Sequence, residues 1–161
     1  GIDFGTSTNF VTKYDFNKKD AVSIANMGSY GGSNIFDNNL YIQGKDNYII
    51  GDSKKQHSDP ENFFEDVKRY IIDDNKKYRV PNLDNKDISA QDIAEMVFYS
   101  IRKKIEEVIE NNKIDGVVIT VPYSYGKKYR QRLQEAAQKA GLNVIKLIEE
   151  PVAAAISYGI F

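Results

Sequence analysis

The sequence predicts an α/β protein in which a mixed β-sheet is covered by helices. Two observations carry this prediction. Alternating apolar residues near the start indicate an antiparallel meander, and from Ser89 onward helical and buried-strand patterns alternate with short connections. A chain of 161 residues, 41% of them apolar, can also bury a core of its own.

Residues 1–26 predict a strand, a tight turn and two further strands. A short apolar run ends at Asp3, and the turn Gly-Thr-Ser-Thr follows it closely. The next two strands are marked by alternating apolar residues at Phe10, Val11, Tyr14 and Phe16, and again at Ala21, Val22 and Ile24. We expect these strands to pair as hairpins with the first one.

Residues 27–87 predict turns, small strands and one helix. Short apolar runs at 40–42 and 48–50 indicate strands, and the polar cluster at 37–39 indicates a turn. We expect the helix to begin at Pro60, because proline suits the first turn of a helix. Apolar residues then recur at helical spacing: Phe63, Phe64, Val67, Tyr70 and Ile71.

A long amphipathic helix and a buried strand come next. Ser89, with Asp92 three residues later, predicts a capped helix start. The apolar face of this helix comprises Ile93, Met96, Val97, Ile101, Ile105 and Val108. The run GVVITV at 116–121 is continuously apolar and β-branched up to Pro122, which predicts a strand buried on both faces.

Two more helices and a strand complete the pattern. A helix over about 127–140 ends at Gly141 and presents one small apolar face, comprising Leu133, Ala136, Ala137 and Ala140. A strand follows at 143–148. A short helix then begins at Pro151 and ends at Gly159.

Charge and hydropathy argue against two classes of partner. The 22 Lys and Arg residues nearly balance 23 Asp and Glu residues, so no broad basic surface for nucleic acid is predicted. No apolar run approaches the roughly 18 residues that a spanning helix needs, and no signal-peptide pattern is present. The absence of cysteine agrees with a reducing compartment. We therefore expect a cytoplasmic protein that binds neither nucleic acid nor membrane.

The opening GIDFGTSTN suggests a phosphate site. It matches neither the Walker loop nor the dinucleotide fingerprint, because the spacing of its glycines fits neither motif. A Gly-Thr-Ser-Thr turn between two strands can nevertheless aim N–H groups and hydroxyls at one anion. Asp3 would then face the same phosphates and hold Mg²⁺ through water. From these residues alone, an ordinary hairpin turn is an equally good interpretation.

Three stretches resemble, in order, the amino-terminal lobe of the seventy-kilodalton heat-shock chaperones, a family of the actin-like ATPase superfamily. They are GIDFGTSTNF, DPENFFEDVKRYI and VVITVPYSYGKKYRQRLQEAAQKAGLNVIKLIEEPVAAAISYG. The last stretch is the most specific, because it matches along its whole length. The resemblance implies a ribonuclease-H-like lobe. In it, residues 1–26 and 112–161 form subdomain I-A, and residues 27–111 form a smaller I-B with the long connecting helix.

The resemblance also implies a set of nucleotide-binding residues. Asp3 is similar to the carboxylate that orders waters around Mg²⁺. The residues of the turn match those that bind the nucleotide phosphates, namely Gly5, Thr6, Ser7 and Thr8. Lys68 resembles the lysine beside the γ phosphate and the attacking water. Glu150 resembles the acidic residue that lies near the metal and this water. Without the resemblance, Lys68 would be interpreted as a solvated surface residue and Glu150 as an ordinary acidic residue at a helix start.

Two further residues, Pro122 and Arg130, resemble the proline and arginine through which the family couples its nucleotide site to its peptide-binding domain. The chain departs from the family here, because Tyr123 and Ser124 reverse the usual order of a small residue and an aromatic one. Glu149 also stands where asparagine is usual. These departures indicate a divergent member of the family.

The resemblance implies a fragment of an ATPase. The parent would bind ATP with Mg²⁺, hydrolyse it to ADP and phosphate, and use the cycle to bind and release unfolded polypeptides. A J-domain co-chaperone and a nucleotide exchange factor would be its partners. We expect the second lobe and the peptide-binding domain to lie beyond Phe161 and the isolated fragment to be inactive. An actin-like filament ATPase and a sugar kinase of the same superfamily are the alternatives.

Overall fold

The computed structural model describes residues 1–24, 27, 33–109 and 113–159. Eleven strands lie in this part of the chain: β1 (Ile2–Phe4), β2 (Thr8–Asp15), β3 (Asp20–Ser23), β4 (Ile35–Asp37), β5 (Asn39–Gly44), β6 (Asn47–Ile50), β7 (Phe63–Glu65), β8 (Lys77–Val80), β9 (Lys86–Ser89), β10 (Val117–Val121) and β11 (Val144–Glu149). The same part contains five α-helices: α1 (Lys55–Ser58), α2 (Val67–Tyr70), α3 (Ala90–Val108), α4 (Lys127–Lys139) and α5 (Glu150–Ser157). Residues 26, 111 and 112, at the expected subdomain boundaries, lie outside the described residues.

The larger sheet is mixed, as predicted. Its strand order is β11-β10-β1-β2-β3, and β4 pairs with β2 as a sixth strand. Strands β1, β10 and β11 run parallel to one another, whereas β2 is antiparallel to β1, β3 and β4. The predicted meander is therefore confirmed for β1, β2 and β3, which lie within residues 1–24. The parallel strands all end at one edge of the sheet.

Helix α3 begins as the sequence predicts and packs on the core. The Ser89 hydroxyl accepts a hydrogen bond from the N–H of Asp92, and the Asp92 carboxylate accepts one from the N–H of Ser89, which forms a capping box. The buried face includes Ile93, Val97 and Ile101. The prediction is wrong for Val108, which is 50% exposed because it lies in the last turn, beyond the sheet-facing part of the helix.

The strand and helix after α3 also follow the prediction. Side chains of β10 alternate: Val117, Ile119 and Val121 are buried, whereas those facing the opposite side are half-buried. Complete burial on both faces is thus not observed in the described structure. Helix α4 buries its predicted apolar face, comprising Leu133, Ala136, Ala137 and Ala140. Gly141 ends it with a φ of +87°, a conformation that suits glycine. Helix α5 ends near Gly159.

The helix predicted from Pro60 is wrong. Residues 60–62 form one 3₁₀ turn, β7 follows it, and only the four residues of α2 are α-helical. Phe63 and Phe64 instead pair with Tyr41 and Leu40 in the small antiparallel sheet β6-β5-β7. Asp66 then adopts a left-handed backbone conformation with a φ of +56° and precedes α2. Cross-strand pairing here outweighs local helical spacing.

A separate hairpin precedes α3. Strands β8 and β9 form a two-stranded sheet that leads directly into α3. Among the described residues, no helix has the length and apolar character needed to cross a membrane.

Candidate active site

The predicted site residues gather where the parallel strands end. Ile2 of β1 is level with Ile119 of β10, and Val121 of β10 is level with Glu149 of β11. The residues that directly follow these three strands are Gly5, Pro122 and Glu150. Ligands of open α/β sheets bind outside the carboxyl ends of parallel strands. We therefore expect a ligand site at this edge.

The turn between β1 and β2 is tight and polar. A Cβ added at Gly5 would overlap the carbonyl oxygen of Thr8, so only glycine fits here without a shift of the backbone. Thr6 and Ser7 line a polar cavity of about 290 Å³ beside the turn. The cavity is also lined by the carboxylates Asp37, Glu65 and Asp66, which oppose an anion that enters without a cation.

Asn38 supports the turn, and sequence reasoning missed it. Its side-chain amide donates a hydrogen bond of 2.6 Å to the carbonyl of Gly5, and its backbone N–H donates one of 2.7 Å to the carbonyl of Ser7. Asn38 is 4% exposed. The polar cluster at 37–39 had predicted a turn, but Asn38 lies between the ends of β4 and β5. The sequence contains no signal for this contact, because the partners are far apart along the chain.

Asp3 lies beside Thr120 at the same edge. The Thr120 hydroxyl donates a hydrogen bond of 2.5 Å to Oδ1 of Asp3, and the Asp3 side chain is otherwise open to solvent. Carboxylate oxygens suit Mg²⁺, which commonly keeps several waters and takes only one or two protein carboxylates. No group of three or more acidic, His or Cys side chains suited to a metal is found in the described residues. That Asp3 and Glu150 hold the ion through water, as the resemblance implies, stays a prediction.

Lys68 is buried and forms an ion pair with Glu150. Its side chain is 2% exposed, and its Nζ lies 3.2 Å from Oε1 of Glu150, whose side chain is 43% exposed. Lys68 lies on α2, directly after the left-handed Asp66, and its partner Glu150 directly follows β11. The surface-lysine interpretation is therefore wrong for Lys68. Glu150 is also the first residue of α5, where an acidic side chain interacts favourably with the helix dipole.

Pro122 and Arg130 meet at the backbone of Tyr125. The N–H of Tyr125 donates to the carbonyl of Pro122 over 3.2 Å, and Nε of Arg130 donates to the carbonyl of Tyr125 over 3.1 Å. Arg130 also forms an ion pair of 2.8 Å with Glu149. The carboxylate at the position where the family usually has asparagine thus holds the predicted relay arginine.

An aromatic contact joins this turn to Lys68. The rings of Tyr125 and Tyr129 pack edge to face at 4.3 Å, and Nζ of Lys68 lies 6.0 Å from the centre of the Tyr125 ring. Burial raises the pKa of the Tyr129 hydroxyl, so this side chain stays neutral. Within the described part of the chain, no direct bond joins Lys68 to Asp3 or to the Gly-Thr-Ser-Thr turn. The site therefore has two halves that are held by different contacts. One is the Gly-Thr-Ser-Thr turn, and the other consists of the ion pairs of Lys68 with Glu150 and of Arg130 with Glu149.

The chain matches a known protein family over most of its length. A model of the Hsp70 protein family matches residues 49–161. Heat shock 70 kDa protein 14 of Homo sapiens is 36% identical over 117 residues, which cover 70% of this chain and 22% of that protein. The Bos taurus protein of the same name is also 36% identical over 117 residues, and the Mus musculus protein is 34% identical, with the same coverage of both chains. This chain thus spans about a fifth of the length of these curated relatives.

Proposed function

The chain belongs to the Hsp70 family, and on that basis we propose that the protein containing it is an ATP-driven chaperone. The chain is part of its nucleotide-binding domain. The protein hydrolyses ATP to ADP and phosphate in the cytoplasm and uses this cycle to bind and release unfolded polypeptides through another domain. A J-domain co-chaperone and a nucleotide exchange factor assist it.

The buried ion pair of Lys68 and Glu150 is the observation that supports this proposal most directly. A lysine that is 2% exposed is uncommon, and this one reaches the edge where the parallel strands end. Taking an ammonium group out of water costs free energy that a single pair with a half-exposed carboxylate only partly offsets. A site that also receives phosphate groups gives this buried charge a second partner.

Each residue of the edge has a role in the proposed reaction. N–H groups and hydroxyls of the turn would bind the phosphates, and Asp3 and Glu150 would hold Mg²⁺ through water. The bound ion would neutralise part of the phosphate charge. Water attacks the γ phosphorus, its new P–O bond replaces the bond to the leaving ADP oxygen, and the proton that the water loses ends on an oxygen of the released phosphate. Lys68 stabilises the negative charge on the transferring group, because its ammonium is a compact charge held in place by burial.

The match to the Hsp70 family favours a chaperone over the two other superfamily functions, a filament ATPase and a sugar kinase. The longer protein that contains this chain provides the tests. Failure to assemble into filaments would exclude a filament ATPase, and ATP hydrolysis without sugar phosphorylation would exclude a sugar kinase.

The variant Lys68→Ala tests the role of the ion pair in the longer protein. We expect turnover to fall by about a hundredfold or more while ATP binding stays within a few-fold, because the ammonium acts on charge that develops in the transition state. The matched control is Lys103→Ala, which removes a lysine that is 50% exposed on α3. Unchanged ATP hydrolysis by a folded Lys68→Ala protein would contradict the proposed role.

The isolated 161-residue chain provides a second test. It offers phosphate-binding groups on a polar surface open to water, where charges attract weakly. Binding must also offset at least about 4 kcal/mol of lost translational and rotational freedom. We therefore expect MgATP to bind no more tightly than about 1 mM, which corresponds to about −4 kcal/mol, and we expect no hydrolysis. Low-micromolar binding in a calorimetric titration would show that this chain alone holds the whole site.

A further inference from the structure

We infer that Asn38 is a positioning residue that orients the Gly-Thr-Ser-Thr turn for phosphate binding. This inference rests on the proposed function and identifies the residue that prepares the turn. Asn38 donates to two carbonyl oxygens of the turn, that of Gly5 through its side-chain amide and that of Ser7 through its backbone N–H. The two bonds, at 2.6 and 2.7 Å, lie on either side of Thr6.

The planar peptide bond converts this contact into an orientation of the N–H groups. In a trans peptide the C=O of one residue and the N–H of the next point in opposite directions. The carbonyl of Gly5 shares a peptide group with the N–H of Thr6, and the carbonyl of Ser7 shares one with the N–H of Thr8. Because Asn38 holds both carbonyls on its own side, it directs both N–H groups away from itself.

This orientation is what an anion site requires. A phosphate group binds where backbone N–H groups converge, and it is repelled where carbonyl oxygens face it. A turn of small polar residues can rotate its peptide groups when nothing holds the carbonyls. Asn38 is 4% exposed, and its position between β4 and β5 is set by both sheets. The turn therefore receives part of its orientation from a rigid junction, in addition to the close packing that its own Gly5 allows.

Asn39 provides a matched control. It is the next residue, it is also 4% exposed, and its side chain makes two hydrogen bonds, one more than the side chain of Asn38. Those bonds join it to the hydroxyl of Ser53, at 3.0 Å, and to the N–H of Asp52, at 3.1 Å. The hydrogen bonds of its side chain thus support the same junction and involve Ser53 and Asp52 instead of the turn. A purely structural role of the junction predicts equal effects for the two residues, and the positioning role predicts unequal ones.

The experiment measures ATP binding and turnover in the longer protein carrying Asn38→Ala or Asn39→Ala. For Asn38→Ala we expect the Kd and the KM for MgATP to rise by about tenfold, the loss of one hydrogen bond to the turn, with kcat at saturating ATP within about threefold. For Asn39→Ala we expect a similar loss in melting temperature and a Kd within about twofold of the wild-type value.

A second variant, Asn38→Asp, tests the inference if the alanine variant does not fold. It keeps the size of the side chain and the backbone bond to Ser7, but its carboxylate cannot donate to the carbonyl of Gly5. We expect the same rise in Kd. Wild-type affinity in either Asn38 variant, or equal losses in the Asn38 and Asn39 variants, would overturn the inference and leave the proposed function standing. A wild-type protein that binds no nucleotide would overturn both.

Discussion

The two halves of the candidate site are built in different ways. The phosphate turn is a matter of backbone geometry: it needs a residue without Cβ at Gly5 and two carbonyls held by Asn38. The other half consists of charged side chains, in which Lys68 pairs with Glu150 across 82 positions of the chain and Arg130 pairs with Glu149 across 19.

This difference predicts how each half of the site responds to substitution, salt and pH. Close backbone packing has no room for one extra carbon, yet it is insensitive to salt and pH because no charge is involved. Ion pairs respond in the opposite way, since they accept changes of shape at exposed positions but weaken when a charge is removed or screened. The substitutions below test this contrast in descending order of expected effect.

Gly5→Ala should have the largest effect. The added Cβ overlaps the carbonyl oxygen of Thr8, so the turn must open, and we expect a loss of stability of about 1–3 kcal/mol together with loss of ATP hydrolysis in the longer protein. Gly44→Ala is the control, because a Cβ there meets nothing within 4 Å. Urea denaturation and a turnover assay measure both variants. Equal, small effects at the two glycines would show that the turn is not closely packed.

Glu149→Gln should have an intermediate effect. The amide keeps the size of the side chain and a hydrogen-bond acceptor but removes the charge that faces Arg130, and both partners are about one-third exposed. We expect the free energy of unfolding to fall by about 1 kcal/mol, less at high salt. The control is Asp87→Asn, which neutralises the exposed pair of Arg79 and Asp87. If Asp87→Asn costs as much as Glu149→Gln, partial burial does not strengthen the pair.

Asp74→Asn should have the smallest effect, and one that depends on pH. Asp74 accepts hydrogen bonds from Lys128, over 2.7 Å, and from Arg132, and these partners lower its pKa to about 2. The pKa is about 3.9 in the unfolded chain, so the ionised carboxylate stabilises the folded state above that pH. This contribution is lost as the pH falls from about 4 to about 2.

The measurement for Asp74 is the difference in melting temperature between wild type and Asp74→Asn across this range of pH. We expect the difference to shrink as the pH falls and to shrink also in 1 M salt, where exposed charges are screened. A difference that stays constant from pH 5 to pH 2.5 would show that the two cations do not stabilise the carboxylate.

How much of the molecule could be predicted depends on how far apart the interacting residues lie. The capping box of α3 and the small apolar face of α4 use neighbouring residues, and both are confirmed. The predicted helix at Pro60 fails because Phe63 and Phe64 pair with a strand from another part of the chain. Local periodicity has no access to that pairing.

The candidate site follows the same rule. The turn and Asp3 stand out within nine residues of sequence. Lys68 and Glu150 could be joined only through the resemblance to a known family, since nothing in either segment alone indicates the other. Asn38 could be found neither from a local motif nor from the family resemblance. It contacts a turn that lies far from it in sequence, and its polar neighbours predict only a loop. The roles of these site residues in ATP binding and hydrolysis stay predictions, which the substitutions described above test.

The central place of β1 has a consequence for the order of folding. This three-residue strand pairs with the adjacent β2 on one side and with the distant β10 on the other. Closing such a long loop adds little to the equilibrium cost, because that cost grows only logarithmically with length, but it slows the search for the partner. We therefore expect the β1-β2 hairpin to form early and the edge that carries Pro122 and Glu150 to join it late. Pulsed hydrogen exchange would detect that order as amide protection in β2 before β10.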